Sequence, residues 1–209
     1  MSQNKSHAVM AQRHEPHDSL DFFPTPPWAT RALCEWLNQS TFPSTAKQSV
    51  WEPACGDGAM GKPLGEYFHH VYASDVAKYG HGRQQDFLLP NFGMDVNSFD
   101  WIITNPPFRL GERFALTALA RAKRGVALLV RTAFLESTSR FAGLYAVSPP
   151  TDILQFVERV PMFKGRLDRE GSTATSYCWL IWRKHQPLKT NFHWIAPCRK
   201  RLERDSDYT

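Results

Sequence analysis

An asparagine, two prolines and an aromatic ring in succession, Asn105-Pro106-Pro107-Phe108, form the stretch of this chain best equipped for chemistry. The prolines fix their own φ angles and disfavour the helical region for the residues before them, so Asn105 and Pro106 are held extended in a stiff turn. Pro107 has no N–H to return to the Pro106 carbonyl, so that carbonyl and the Asn105 side-chain oxygen offer two acceptors to an incoming amino group. An amine on a heteroaromatic ring is a poor nucleophile because its lone pair is delocalised. Two acceptors on its hydrogens favour a pyramidal nitrogen with the lone pair aimed at an electrophile. Phe108 then offers a stacking surface for a base swung out of a duplex. The plainer reading is a Pro-rich strand terminator.

A second constellation lies upstream. Trp51-Glu52-Pro53-Ala54-Cys55-Gly56-Asp57-Gly58-Ala59-Met60-Gly61 contains Gly-x-Gly-x-x-Gly, the spacing of a dinucleotide fingerprint. Such glycines allow unusual backbone angles and let a ligand approach main-chain N–H groups at a helix start. The acids discriminate between ligands. Glu52 and Asp57 flank the turn, opposing a pyrophosphate and favouring a positively charged ligand such as S-adenosylmethionine, which carries a sulfonium and an ammonium. Asp75, closing a second apolar run, is placed to accept from two ribose hydroxyls, and Asp86-Phe87 to contact and stack an adenine. The plainer reading is a tight turn with Asp75 as an ordinary cap.

These segments need a scaffold, and alternating apolar runs supply one. Trp28 to Leu37 has helical spacing behind a Pro-rich entry, Asp21 to Pro27. Val50 to Ala54, Val71 to Ser74, Gly82 to Leu88, Phe99 to Thr104 and Gly125 to Val130 read as strands, with helices over Gly61 to Phe68 and Gly111 to Lys123. A strand-helix rhythm predicts right-handed crossovers, a mostly parallel sheet and a site at the strands' carboxyl ends. After a helix near Arg140 to Ala146, Ile153 to Val160 and Ser176 to Arg183 read as an antiparallel hairpin at the sheet edge. Its loop, Pro161 to Thr175, carries Lys164, Arg166 and Arg169 over the same end of the sheet. The expected organisation is a flexible leader (1–20), one α/β domain (21–184) and a basic tail (185–209).

The 209 residues, 42% hydrophobic and 22% charged, exclude a disordered chain and suffice for a self-supporting core. No apolar run approaches the roughly 20 residues of a membrane span, and the opening lacks a signal peptide's pattern; a cytoplasmic protein is expected. Cys34, Cys55, Cys178 and Cys198 form no Cys-x-x-Cys pair and sit at no zinc-finger spacing, so no metal is expected. The net charge of +5 is unevenly spread: Arg183 to Arg204 holds seven basic residues against one acid, and Arg109 to Arg140 seven against two. Such concentration points to a polyanionic partner, with Arg109, Arg113 and Arg131 joining the loop cations as phosphate contacts. Solvated helix faces are the plainer alternative.

Taken together, these segments resemble the class I S-adenosylmethionine-dependent methyltransferases, particularly the amino-methyltransferases that modify adenine N6 in DNA. EPACGDG (Glu52 to Gly58) is similar to that family's cofactor loop, and NPPF (Asn105 to Phe108) to its catalytic tetrapeptide. Phe23-Pro24-Thr25-Pro26-Pro27 is similar to the Thr-Pro segment that covers the methionine end of the cofactor. The motif order fits, and over residues 21–183 the chain looks like the small adenine methyltransferases of phages and prophages. The resemblance implies a Rossmann-like, mostly parallel seven-stranded sheet with helices on both faces and an antiparallel edge hairpin. It implies a cofactor cleft of Thr25, Pro26, Glu52, Ala54, Gly56, Asp57, Gly58, Asp75, Asp86 and Phe87, around a reaction carried by Asn105, Pro106, Pro107 and Phe108.

Larger relatives carry a separate target-recognition domain, whereas about 25 residues follow the last expected strand here. Base selectivity is then expected of the Arg109 to Arg140 surface, the Pro161 to Thr175 loop and the tail, with partner assistance or dimerisation open. NPPF names an amine, not a polymer. An RNA amino-methyltransferase is the alternative enzyme, and an inactive nucleic-acid-binding subunit on the same scaffold the alternative of another class. None of the cysteines has a context for nucleophilic attack on a pyrimidine, Cys55 in the cofactor turn being the one to check.

Overall fold

Period-two alternation along buried strands divides the interior into two cores, one on each face of a sheet. Val50, Ile103, Leu129, Trp179 and Ile181 face one core; Trp51, Ile102, Val126, Leu128, Leu180 and Trp182, their alternates, face the other. The computed structural model describes residues 21–40, 43–89, 98–187 and 189–208. The expected leader over 1–20 lies outside the described residues.

The strands are β1 (Ser49–Glu52), β2 (His70–Asp75), β3 (Arg83–Gln84), β4 (Trp101–Thr104), β5 (Gly125–Arg131), β6 (Asp152–Phe156), β7 (Tyr177–Arg183) and β8 (Asn191–Ile195). They form one sheet in the order β3-β2-β1-β4-β5-β7-β6-β8. Only β7 is antiparallel to its neighbours, β5 and β6; every other pairing is parallel. The order reverses between β1 and β4, and the crevice outside the carboxyl ends of these two strands is where open α/β sheets place ligands.

Helix α1 (Pro27–Ser40) starts with proline at its first position, where no N–H is needed, and lays Trp28, Leu33 and Leu37 into the first core. Helix α2 (Gly61–Leu64) is a single turn, shorter than the sequence pattern suggested, and hydrogen-bonded turns carry the chain on to Phe68, whose N–H reaches the Leu64 carbonyl. Helix α3 (Gly111–Arg121) covers the other face through Phe114, Ala115 and Ala118. The short α4 (Thr138–Arg140) continues as a π-helical turn, Phe141–Tyr145.

Two expectations need correction. Among the described residues the sheet has eight strands rather than seven, and the β6–β7 hairpin is not its edge: β7 is inserted between β5 and β6, and β8 pairs parallel with β6 outside it. The residues expected as a basic tail supply that strand, followed by α5 (Arg199–Leu202). The polarity of β8 concealed it. Phe192 and Trp194 are exposed, while the alternate residues Asn191 and His193 satisfy the buried Asp152 carboxylate, the His193 ring at 3.0 Å. Much of the tail's charge is also spent internally, Arg199 pairing with Glu203, Arg201 with Glu35 and Arg204 with Glu66.

Candidate active site

The strand β4 ends at Thr104, and Asn105 follows at the reversal point of the sheet. Residues 21–25 cross in front of it as a strap. The Asn105 side-chain nitrogen donates to the Phe23 carbonyl at 3.1 Å and to the Thr25 hydroxyl at 3.2 Å, with the Met162 sulfur at 3.6 Å. A carbonyl only accepts, so the amide must present its nitrogen to Phe23, and the orientation is fixed by chemistry. Its oxygen is left buried with no hydrogen-bond partner. Unpaired buried acceptors are uncommon and costly, about 1–3 kcal/mol each. Beyond it the Pro107 carbonyl is committed to the Leu110 N–H at 2.9 Å, while Asp21 accepts from the Phe108 N–H at 2.8 Å and pins the strap to the turn.

Between this turn and the carboxyl ends of β1 and β2 lies a cleft of about 260 Å³. Of the residues expected around a ligand, Thr25, Glu52, Ala54, Gly56 and Asp57 line it, as do Asp75, Asp86 and Phe87 farther along and Asn105 and Pro107 at its end. Gly56 and Gly58 both have positive φ, +51° and +88°. The first also admits the Phe22 ring where a Cβ would collide, and a Cβ on the second would lie 2.7 Å from the His81 ring. Asp75 is locked by the Gly56 N–H at 2.9 Å and the Ala77 N–H at 3.0 Å, one to each oxygen, leaving further lone pairs toward the cleft.

The Glu52 carboxyl is the electrostatic centre of the cleft. It is 2% exposed, and its Oε2 has no hydrogen-bond partner. Burial first, and then the Asp75 and Asp57 charges, push its pKa well above the ordinary carboxylate range. Such a cluster repels anions and is relieved by a cation. Cys55, in the same turn, is 3% exposed, with its thiol directed at the Gly56 and His81 carbonyls. Burial and the neighbouring Glu52 push it up to about 12, so it carries no thiolate to attack with.

Some expected residues lie elsewhere. Pro26 caps α1, its carbonyl accepting from the Ala29 N–H, and Gly58 faces His81, so neither lines the cleft. Pro106 is buried behind the turn. Phe87 is 1% exposed and wedged between Trp51 and Phe114, so it offers a ligand little more than an edge. Phe108 is outside the cleft lining, with the Phe23 ring at 5.0 Å and the Arg131 guanidinium 3.7 Å from its centroid. Among the expected phosphate contacts, Arg113 lines the cleft itself, Arg166 pairs with Asp168, and Arg169 pairs with Asp205. Arg109 and Lys164 belong to the turn after Phe108 and to the β6–β7 loop, whose Gly165 N–H reaches the Phe22 carbonyl at 2.9 Å.

Sequence reasoning missed Phe22 and Tyr79, which line the cleft with their rings stacked at 4.3 Å. The Asp-Phe-Phe run was a usable signal for the first. Nothing in the pattern around Tyr79 marked the second.

No family model matches the chain, and no curated protein matches it. Solved structures match its fold. A modification subunit of a putative type I restriction enzyme from Vibrio vulnificus superposes with a TM-score of 0.58 at 15% identity, over 90% of this chain and 50% of its own. The methyltransferase subunit of a type I restriction-modification system from Streptococcus thermophilus gives 0.65 at 11%, over 88% and 51%. The chain has the class I methyltransferase fold. It spans about half the length of those two subunits. A putative RNA methyltransferase from Pyrococcus horikoshii, of comparable extent, gives 0.57 at 16%, over 82% of this chain and 91% of its own. No helix among the described residues is long and apolar enough to cross a membrane.

Proposed function

We propose that this protein transfers a methyl group from S-adenosylmethionine to the exocyclic N6 amine of adenine in DNA. One observation carries the reading: the Asn105 side-chain oxygen, buried and unpaired, is held in a fixed orientation by the Phe23 carbonyl and the Thr25 hydroxyl at the end of an acidic cleft. A preorganised acceptor with no internal partner is what an amine hydrogen needs, and it costs no reorganisation when the reaction occurs.

The cleft fits the donor. Asp57 and Asp75 supply negative charge for a ligand bearing sulfonium and ammonium groups, whose arrival favours the ionised form of Glu52; the glycine turn admits close approach, and Asp75 and Asp86 offer acceptors to a ribose and an adenine. When bound, the donor supplies an electrophilic methyl on positively charged sulfur. Asn105 holds an amine hydrogen and concentrates the nitrogen lone pair; the proton shed by the methylated amine passes to solvent. Phe108 carries the base. Arg109, Arg131, Lys164 and Arg166 contact backbone phosphates around the mouth, with Arg113 nearer the donor and Arg169 at the periphery.

Incubation with tritiated S-adenosylmethionine and separate DNA and RNA pools tests the reading. Label on adenine N6 of DNA is expected, and Asn105→Ala should abolish it while leaving donor affinity mostly intact. Label on RNA alone would move the substrate and retain the chemistry. Labelling of neither pool, or near-normal turnover by the Asn105→Ala protein, would overturn the proposal.

A further inference from the structure

Two groups lie against the Phe108 ring. Phe23 lies against the ring at 5.0 Å between centroids, tilted by 46°. The Arg131 guanidinium lies over it, 3.7 Å from the centroid. That separation is the thickness of one stacked planar group, and a guanidinium is flat, as a nucleobase is.

The two covers are not equally removable. Phe23 packs against the first core, and its carbonyl holds the Asn105 amide, so displacing it would undo the acceptor that the reaction needs. The Phe108 main chain cannot retreat either, since its N–H is bound to Asp21. Arg131 is exposed, at the last position of β5, across the sheet from the buried Tyr177. Among these neighbours it alone can leave without disturbing the site.

We propose that Arg131 occupies, in the free protein, the seat on the Phe108 ring that the target base takes, so that a base enters by exchange with this guanidinium. The inference rests on the amine-methylation reading and adds to it a residue that sets the threshold for base entry. Stacking of a base on an aromatic ring outweighs an exposed cation–π contact, so the exchange runs in the base's favour. The cation leaves the ring beside an incoming polyanion, and a phosphate then compensates it. A solvent-exposed aromatic platform would take up bases or apolar groups indiscriminately; a guanidinium lid raises the requirement to a planar group that brings a phosphate.

The test separates seat from phosphate contact by using a ligand without phosphate. With the protein saturated with S-adenosylhomocysteine, binding of 2′-deoxyadenosine and of a DNA duplex is measured for wild type and Arg131→Ala. Because Arg131 is exposed, the variant should fold, which its melting curve verifies. Opposite signs are expected: the nucleoside binds about two- to five-fold more tightly to the variant, while the duplex binds more weakly, with a shallower salt dependence. Unchanged nucleoside affinity would reduce Arg131 to a phosphate contact, and weaker nucleoside binding would make it a support for the ring; either overturns the exchange. A direct readout is the Arg131 δ-methylene proton shift, displaced upfield by the ring in the free protein and returning to its ordinary position when nucleoside is added. If Asn105-dependent methylation proceeds while that signal stays put, the exchange fails alone. If no nucleic acid is methylated and no nucleoside binds, the functional reading fails with it.

Discussion

The Asn105 side-chain nitrogen donates to the Phe23 carbonyl across 3.1 Å, joining two residues 82 positions apart in the chain. The sheet brings Asn105 to the site, but the strap decides which way its amide faces. Thr25 contributes the second anchor at 3.2 Å. Replacing it by valine keeps the shape and removes the oxygen, so the amide loses one restraint. With a hydrogen bond of this kind worth about 1 kcal/mol, Thr25→Val should lower kcat roughly five- to ten-fold. Combined with Asn105→Ala, it should add almost nothing, because both act through the same oxygen. A double-mutant cycle showing simple additivity would dissociate Thr25 from Asn105.

The Glu52 carboxyl should trade stability for binding. Burial beside Asp75 and Asp57 raises its pKa in the folded protein. A carboxyl whose folded value lies above its unfolded one, about 4.3, contributes stability that is fully present below that pH and is lost as pH rises through the folded value. At neutral pH Glu52 is therefore a cost in the free protein. Glu52→Gln keeps the shape without the ionisation, so the melting temperature at pH 7.5 should rise by about 2–4 °C. Affinity for S-adenosylmethionine should fall about ten-fold or more, as calorimetry would show. A variant that binds the donor as well as wild type would remove Glu52 from its assigned place.

Much of this was legible in the sequence because it depended on local chemistry. The GDG turn requires glycine at two positive-φ positions, NPPF stiffens itself, and β4 and β5 are apolar on both faces, so each announces its element without reference to the rest of the chain. What stayed hidden depended on partners far away. β8 shows its aromatics to solvent and its polar residues to Asp152, inverting the usual pattern, and β7 could not be assigned its slot from a hairpin signal alone. The arginines of the last segment look like a free cationic surface until Glu35, Glu66 and Glu203 are seen opposite them. Charge along the sequence is no measure of charge left over.

The stacked rings of Phe22 and Tyr79, centroids 4.3 Å apart, both line the cleft. Phe22 comes from the strap and Tyr79 from the turn after β2, so the stack ties two walls of the cleft together. An aromatic pair contributes about 0.5–1.5 kcal/mol beyond its buried area. Tyr79→Ala should therefore speed release of S-adenosylhomocysteine about two- to ten-fold, with little change in the methyl-transfer step. Stopped-flow displacement measures the first and single-turnover labelling the second. An unchanged release rate would show that ligands leave by another route.

Arg31 is the clamp that joins α1 to the last residues of the chain. Only 3% exposed, it spends its guanidinium on Glu66, on both Asp207 oxygens at 2.7 and 2.8 Å, and on the Leu202 carbonyl at 2.7 Å. Removing one member of a buried ion pair costs about 3–5 kcal/mol, since the other is left charged and unpaired. Arg31→Met should lower stability by that order at pH 7. The loss should depend on pH. Burial by itself would raise the Asp207 pKa, but the hydrogen bonds from Arg31 and the Arg204 N–H outweigh it and leave the group below its ordinary value. The pair's contribution is thus fully present above the unfolded value, about 3.9, and is lost as pH falls through the lower folded one, Arg31 staying protonated throughout. Without Arg31, burial acts with less opposition and the Asp207 pKa moves upward. Urea midpoints of wild type and variant should therefore lie far apart at pH 7 and converge toward pH 3. Curves that stay parallel over that range would mean that the last residues are held by packing on α1 rather than by this charge.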